Sequence, residues 1–262
     1  MLKGTPLTKT IPWPSDRFEM DVASLAAGSL RLASVEITQR CNNRCLYCDQ
    51  PKANQDILPT RFATLLGELV AEDIEAVALG GGEPTLHPAL PVLLEAAHQR
   101  GLHTGLTTNA RAPGQVSALA DAGLLDSFGV SAGKGEWQAL VAHPRAIVNL
   151  LLLRGGLSQV IGWACEALQR GARCLLLLGY KGADPQFTPL VGELSDAFGL
   201  LTPLGHRTGV TVGADDYTRR RLGLSDTCGA GFLRVSLNGT RDRCCFPACE
   251  YRHLSGASQG TH

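Results

Sequence analysis

The chain has 262 residues, of which 44% are hydrophobic and 18% charged, and its basic and acidic residues balance at 24 each. This composition supplies enough apolar side chains for one large core, and it argues against a disordered chain and a strongly basic nucleic-acid-binding protein. No apolar run approaches the roughly 18 residues that span a bilayer, and residues 1–14 lack the charged and apolar pattern of a secretory signal. We therefore expect no nucleic-acid or membrane partner, and a cytoplasmic location.

Short apolar runs alternate with amphipathic stretches between residues 31 and 200. The runs predict strands, and the stretches between them repeat apolar residues at helical spacing. The predicted strands are 32–38, 75–80, 103–108, 127–131, 146–152 and 173–179, and a further helix is predicted at 187–198. This alternation predicts a parallel sheet with right-handed crossovers. A closed eight-unit barrel needs about 250 residues, so the predicted fold class is α/β, a partial (β/α)6 barrel of TIM-like form.

The remaining segments are patterned differently. Residues 1–30 are predicted to form an N-terminal arm, 31–200 the partial barrel, 201–254 a small cysteine-rich extension and 255–262 a disordered tail. Within the extension, the Gly-rich segment 209–214 is predicted to be extended and to precede a short basic helix. The segments 232–237 and 240–245 flank an Asn-Gly pair, which favours a tight primed turn, so they predict a β-hairpin.

Seven of the nine cysteines fall into two groups along the sequence. Grouped cysteines in a reducing compartment bind metal more often than they form disulfides. Cys41, Cys45 and Cys48 follow the first predicted strand, at the end of the barrel where active sites lie. Three thiolates are one short of a closed zinc site, whereas a cubane iron–sulfur cluster held by three cysteines keeps one iron open. A zinc site completed by a distant His or Cys is the alternative.

A glycine triplet, residues 80–82, follows the second predicted strand and leads into Glu83 and Pro84. Glycines let backbone groups approach a ligand closely, and the Glu83 carboxylate could accept hydrogen bonds from an ammonium group. The C-x3-C-x2-C spacing, with Tyr47 before the third cysteine, together with this Gly-Gly-Glu motif resembles the radical S-adenosylmethionine (SAM) superfamily. The likeness covers about residues 32–180.

The resemblance implies that the first cysteine group holds a [4Fe-4S] cluster, which binds SAM and cleaves it reductively to a 5′-deoxyadenosyl radical. It implies a flavodoxin- or ferredoxin-type electron donor, and a SAM amino group bound by Gly81, Gly82 and Glu83. Weaker likenesses make four further residues candidates for cofactor binding: Tyr47, Thr108, Asn109 and Ser131. Ala110 replaces the usual glycine after Asn109, and an ordinary strand-end cap explains the polar strand-end residues nearly as well.

The second cysteine group is similar to the opening half of a SPASM/Twitch extension, in which a hairpin carries ligands of an auxiliary iron–sulfur cluster. The later cysteine-rich run of a full SPASM domain is absent from the sequence, so the likeness implies a shortened, Twitch-like form. The ligands expected are Cys228, Cys244 and Cys249, with Cys245 as the fourth. Adjacent cysteines point to opposite faces of a regular strand, so both bind only at a kink. A structural zinc site on all four is the alternative.

Tyr180 and Lys181 end the sixth predicted strand and are candidate catalytic or substrate-binding residues, expected to face the cavity. Asp216 is a third candidate, although the pair Asp215-Asp216 also fits a solvated turn. The resemblance implies hydrogen abstraction from a substrate, and an auxiliary cluster implies net oxidation, a crosslink or dehydrogenation of a ribosomally made peptide. The alternatives are dehydrogenation of a small sugar or antibiotic intermediate, a methyl-transferring relative, and a non-catalytic iron–sulfur or zinc-binding protein.

Overall fold

The computed structural model describes residues 31–225, 228–229, 231–244 and 251. Its strands are β1 (Leu32–Thr38), β2 (Ala76–Gly81), β3 (His103–Thr108), β4 (Ser127–Ser131), β5 (Ala146–Leu152), β6 (Cys174–Gly179), β7 (Thr211–Ala214), β8 (Phe232–Val235) and β9 (Arg241–Asp242). They form one open sheet in the order β7-β6-β5-β4-β3-β2-β1-β8-β9. All neighbours from β7 to β8 are parallel, and β9 pairs antiparallel with β8.

Helices connect most of the parallel strands and cover one face of the sheet, whereas β4 and β5 are joined through a 3₁₀ turn at Trp137–Ala139. The helices are α1 (Pro59–Ala71), α2 (Leu90–His98), α3 (Pro113–Asp121), α4 (Leu157–Gln169), α5 (Val191–Thr208) and α6 (Asp216–Arg221). The first three carry a proline in the first turn, where its missing N–H costs no helical hydrogen bond. No helix in the described part of the chain is both long enough and apolar enough to cross a membrane.

The two faces of the sheet differ in chemistry because strand side chains alternate. In β1, Ala33, Val35 and Ile37 belong to the hydrophobic core beneath the helices. Ser34, Glu36 and Thr38 alternate with them on the opposite face, which we call the inner face. Because the C-terminal ends of parallel strands meet at one edge, the loops that follow β1 to β6 lie together there. We call this edge the mouth.

The six predicted strands are confirmed, as are the open partial barrel and the hairpin of β8 and β9. The predicted boundary between residues 200 and 201 falls inside α5, which runs from Val191 to Thr208, and the division into domains stays a prediction. The segment predicted only as extended forms β7 and pairs with β6, and β8 pairs with β1 in the same sheet. The two ends of the partial barrel are therefore extended by strands of the predicted extension. The predicted arm (1–30) and tail (255–262) lie outside the described residues.

Candidate functional site

The two ends of the cysteine loop after β1, residues 39–56, are hydrogen-bonded to each other and to β1. The N–H of Gln39 donates to the Gln55 carbonyl at 2.9 Å, and the N–H of Ile57 donates to the Ile37 carbonyl at 2.8 Å. The Thr38 hydroxyl, at the end of β1, donates to Asp56 Oδ1 at 2.6 Å. These bonds fix both ends of the loop, so the three cysteines between them are held at the mouth.

The same loop crosses the mouth and contacts the loops that follow other strands. Asn109 Nδ2, after β3, donates to Asn42 Oδ1 at 2.8 Å. Lys134 Nζ, after β4, lies 5.0 Å from the centre of the Tyr47 ring. Cys41, Cys45 and Cys48 are all partly buried, and the Cys48 N–H donates to the Cys45 carbonyl at 3.1 Å. The loop is therefore held from several sides of the mouth.

Asp49, directly after the third cysteine, extends these contacts to β6. Its Oδ2 accepts from the Ala183 N–H at 2.7 Å. A Cβ on Gly182 would lie 2.4 Å from Asp49 Oδ2 and 2.2 Å from the Tyr180 hydroxyl oxygen, so only glycine fits there. An aspartate after a cysteine gave no sequence signal of this role, because its partner is 134 residues away.

The glycine triplet serves two purposes in the structure. A Cβ on Gly82 would lie 2.0 Å from the Arg40 carbonyl oxygen, and one on Gly81 would lie 2.3 Å from the Thr38 carbonyl oxygen. The N–H groups of Gly82 and Glu83 donate to these Thr38 and Arg40 carbonyls, both at 2.7 Å. These two glycines therefore let the cysteine loop pack against β2, whereas a Cβ on Gly80 would meet no atom within 4 Å.

The Glu83 carboxylate is buried and accepts hydrogen bonds from its own protein. Oε1 accepts from the Thr108 hydroxyl at 2.9 Å and the Thr85 hydroxyl at 2.8 Å, and Oε2 accepts from the Asn109 N–H at 2.7 Å. Glu83 is only 2% exposed. The predicted cofactor-binding residues Glu83, Thr108 and Asn109 are thus brought together, with the carboxylate joining the ends of β2 and β3. Binding of an ammonium group by this carboxylate stays a prediction.

Ser131 ends β4 on the inner face, and its register partner on β5 is Asn149. Asn149 is 8% exposed, and its Oδ1 has no hydrogen-bond partner among the described residues. A Cβ on Gly129 would lie 2.5 Å from Asn149 Nδ2 and 2.9 Å from the Thr107 hydroxyl oxygen. Sequence reasoning did not select Asn149, although a polar residue inside an otherwise apolar strand was a visible signal.

Glu36 is a second inner-face residue that the sequence did not indicate. It is 5% exposed, and its Oε2 accepts from the Leu237 N–H in the turn between β8 and β9 at 2.8 Å. Its Oε1 has no partner among the described residues. Its Cγ lies 2.7 Å from the position of a Cβ on Gly81. Glu36 therefore joins the C-terminal hairpin to the glycine motif.

The three candidate catalytic residues occupy different surroundings. Tyr180 is 3% exposed and accepts from the Asp184 N–H at 3.2 Å, so it is packed under the loop that follows it rather than open to a cavity. Lys181 Nζ donates to Asp215 Oδ2 at 3.0 Å. Asp216 Oδ2 accepts from the Gly229 N–H at 3.2 Å, and burial raises the pKa of its carboxyl group. A catalytic role stays a prediction for all three.

The second cysteine group is described in part. Cys228 and Cys244 are partly buried, whereas Cys245 and Cys249 lie outside the described residues. Gly229, next to Cys228, has φ +74°, and a Cβ there would lie 2.5 Å from the Arg243 carbonyl oxygen. The backbones beside Cys228 and Cys244 are thus in close contact, which brings the two cysteines into one region.

The donor set of the first loop fits an iron–sulfur cluster. It consists of three thiols at the mouth. Beside Gly80 there is space for a ligand, because a Cβ there would meet no protein atom within 4 Å. Among the described residues, no three His, Cys, Asp or Glu side chains are arranged so that they could hold a metal ion. Three thiols that leave one iron open are the ligand set of a cubane with an exchangeable corner, and a zinc site would need a fourth ligand from elsewhere in the chain.

Comparison with known proteins gives one family and several relatives. Residues 35–133 match the family model described as the radical SAM superfamily. A PqqA peptide cyclase of Bradyrhizobium diazoefficiens is 35% identical over 96 residues, which are 34% of this chain and 25% of the relative. A GTP 3′,8-cyclase of Chlorobaculum tepidum is 34% identical over 96 residues, which are 34% of this chain and 29% of that protein. The matches thus span about a quarter of the relatives' lengths.

A solved structure shares the fold over most of the chain. Streptococcus suis SuiB bound to its precursor peptide SuiA has a TM-score of 0.68 and 13% sequence identity. The superposition covers 92% of this chain and 65% of SuiB. At this identity the likeness concerns the fold, and it supports the open parallel sheet described above.

Proposed function

The chain carries a radical SAM domain over residues 35–133, and from this premise we propose that it is an enzyme that oxidatively modifies a ribosomally made peptide. The observation that carries the proposal is the cysteine loop, which is fixed across the mouth directly against Gly81 and Gly82. Cys41, Cys45 and Cys48 would hold a [4Fe-4S] cluster, and the room beside Gly80 would admit SAM. When bound, this pair supplies a 5′-deoxyadenosyl radical through one-electron cleavage of a carbon–sulfur bond.

The residues of the chain would position these groups. The close contact of Gly81 and Gly82 with residues 38–40 fixes the loop against β2, and Glu83 fixes β2 against β3. Ser131 and the unpartnered Oδ1 of Asn149 would offer polar contacts to a ligand at the mouth. The packed rings of Tyr47, Tyr180 and Phe187 would exclude water beside the cysteine loop.

A peptide substrate is supported by the names of the relatives and not by a contact in this chain. Relatives are named as cyclases of the PqqA peptide, and SuiB was solved with a precursor peptide bound. A small-molecule substrate is the second candidate, because a GTP 3′,8-cyclase matches at almost the same identity. The matched segment thus supports the shared chemistry more strongly than the choice of substrate.

We further propose that the second cysteine group holds an auxiliary cluster that accepts an electron from the substrate radical. The close contact between the backbones of Gly229 and Arg243, the neighbours of Cys228 and Cys244, supports one site. The Asp216 carboxylate holds Gly229 in place, so it would position this region rather than react with substrate. A one-electron donor of flavodoxin or ferredoxin type would reduce the first cluster.

Anaerobic reconstitution with iron and sulfide tests the proposal. We expect roughly four irons on the first cysteine group, an electron paramagnetic resonance signal of a reduced cubane, and slow formation of 5′-deoxyadenosine from SAM without substrate. Replacing Cys228 and Cys244 by alanine should lower the iron content below that of the wild type. Absence of a reducible cubane would refute the radical SAM function, whereas unchanged iron in the double variant would remove only the auxiliary cluster.

A further inference from the structure

The outer side of the cysteine loop exposes a large apolar side chain. Leu46 is 91% exposed, although it lies between Cys45 and Tyr47, which are both partly buried. A single exposed leucine is ordinary on a protein surface. The surroundings of Leu46 are therefore what decides whether it has a role.

Two cations, Arg44 and Lys52, lie on the same loop as Leu46, and a third, Arg111, is hydrogen-bonded to that loop. Asn43 brings two of them together, since its Oδ1 accepts from Arg111 Nε at 2.6 Å and its backbone carbonyl accepts from Lys52 Nζ. Arg44 follows Asn43, and all three cations are exposed. We call Arg44, Leu46, Lys52 and Arg111 the Leu46 patch.

The carboxylates of the loop are used elsewhere. Asp56 pairs with Arg40 at 2.8 Å, and Asp49 accepts from the Ala183 N–H on the side of β6. Glu136 is exposed, and its N–H donates at 2.8 Å to the carbonyl of Ala110, the residue before Arg111. The chain as a whole carries no net charge. The positive charge of the Leu46 patch is therefore a local feature of a chain that is neutral as a whole.

We propose that the Leu46 patch is the docking surface of an acidic one-electron carrier protein. The inference rests on the proposed function, which requires an electron from outside to reach a cluster on the same loop. The carrier would lose one electron and the cluster would gain it, and no bond forms or breaks in this step. Cations around the contact accelerate encounter with an acidic partner, and a central apolar side chain provides the short-lived contact typical of small electron-transfer interfaces.

Anaerobic stopped-flow reduction of the reconstituted protein tests the proposal. With reduced flavodoxin as the acidic carrier, Arg44→Glu/Lys52→Glu should lower the second-order rate constant about tenfold or more at low ionic strength. The wild-type rate should fall with added salt, and the variant should be less sensitive. Leu46→Ala should lower the rate severalfold and leave the salt dependence unchanged.

Two controls separate docking from other effects. Arg100→Glu/Arg207→Glu carries the same charge change on exposed residues at the C-terminal ends of α2 and α5, away from the mouth, and should react like the wild type. Photoreduced 5-deazariboflavin, an uncharged small reductant, should reduce all variants at similar rates. Equal slowing by both reductants, or an unchanged flavodoxin rate, would overturn the docking surface. A protein without a reducible cluster would refute the proposed function itself.

Discussion

The two cysteine regions of this chain are held by different kinds of contact. The first loop is closed at its base by backbone hydrogen bonds to β1 and contacts the loops after β2, β3, β4 and β6. The described part of the second region is held by the pairing of β8 with β1, by the hydrogen bonds Glu36–Leu237 and Asp216–Gly229, and by ion pairs of Arg241 with Glu68 and Glu72 on α1. The backbone of the first loop is thus fixed from several strand ends at the mouth, whereas the second region is fixed mainly through the β8–β9 hairpin and Gly229.

The largest effect should come from the first loop. Cys45→Ala removes one of the three proposed cluster ligands, so we expect loss of the cubane signal and a fall of 5′-deoxyadenosine formation to background. Cys165→Ala, on exposed Cys165 of α4, is the matched control and should keep both. Iron analysis and product quantification by mass spectrometry measure the outcome. A Cys45→Ala protein that still cleaves SAM would show that this loop is not the reactive site.

A pair of glycine variants distinguishes the packing of the cysteine loop against β2 from the space proposed for SAM. Gly82→Ala places a Cβ 2.0 Å from the Arg40 carbonyl oxygen, so the loop must shift, at a cost of about 1–3 kcal/mol. Gly80→Ala meets no atom within 4 Å, so its stability should stay near the wild type while SAM binding weakens. Thermal unfolding and calorimetric titration with SAM give the two readouts. Equal stability of the two variants would contradict the packing role of Gly82, and unchanged SAM affinity in Gly80→Ala would contradict the ligand space beside it.

The sequence was sufficient for the first region because its signals are local. The cysteine spacing and the glycine triplet each lie within one loop, and the apolar runs predict all six strands to within a residue or two. Residues 35–133, within the predicted extent of the likeness, match the radical SAM family model. The contacts made by Asp49 and Glu36 were not predictable, because their partners Ala183 and Leu237 are distant in sequence.

The part of the chain after residue 198 was also less predictable, because its structure depends on contacts that are distant in sequence. Helix α5 was predicted to end at residue 198, yet it continues past Gly199 and Pro203 to Thr208. Buried Leu201 and Gly205 pack this half of the helix against the sheet, and tertiary packing of this kind overrides local helix-breaking residues. Strand β7 pairs with β6, and β8 pairs with β1. The paired residues are far apart in sequence, so no local pattern encodes these pairings.

Loss of the hydrogen bond between Asp216 and Gly229 should have a smaller effect, on stability and on iron retention in the second region. Asp216→Ala removes the acceptor of the Gly229 N–H, which costs on the order of 1 kcal/mol for a partly exposed carboxylate. In a Cys45→Ala background, where the first site is disabled, we expect less iron retained per chain after desalting. Asp196→Ala, at an exposed position on α5, is the control. Iron retention equal to that of the control would separate Asp216 from the second site.

Thiol alkylation should sharpen the comparison between the regions. Burial raises the pKa of Cys174 to about 12, so at pH 8 only about 10⁻⁴ of this thiol is ionised, and iodoacetamide should leave it unmodified. Exposed Cys165 should react with or without iron, whereas Cys41, Cys45 and Cys48 should react only after chelation. Mass spectrometry of digests reads each site. Because the fold alone holds the first loop, its alkylation after chelation should proceed without unfolding, and equal protection of these thiols with and without iron would contradict their role as ligands.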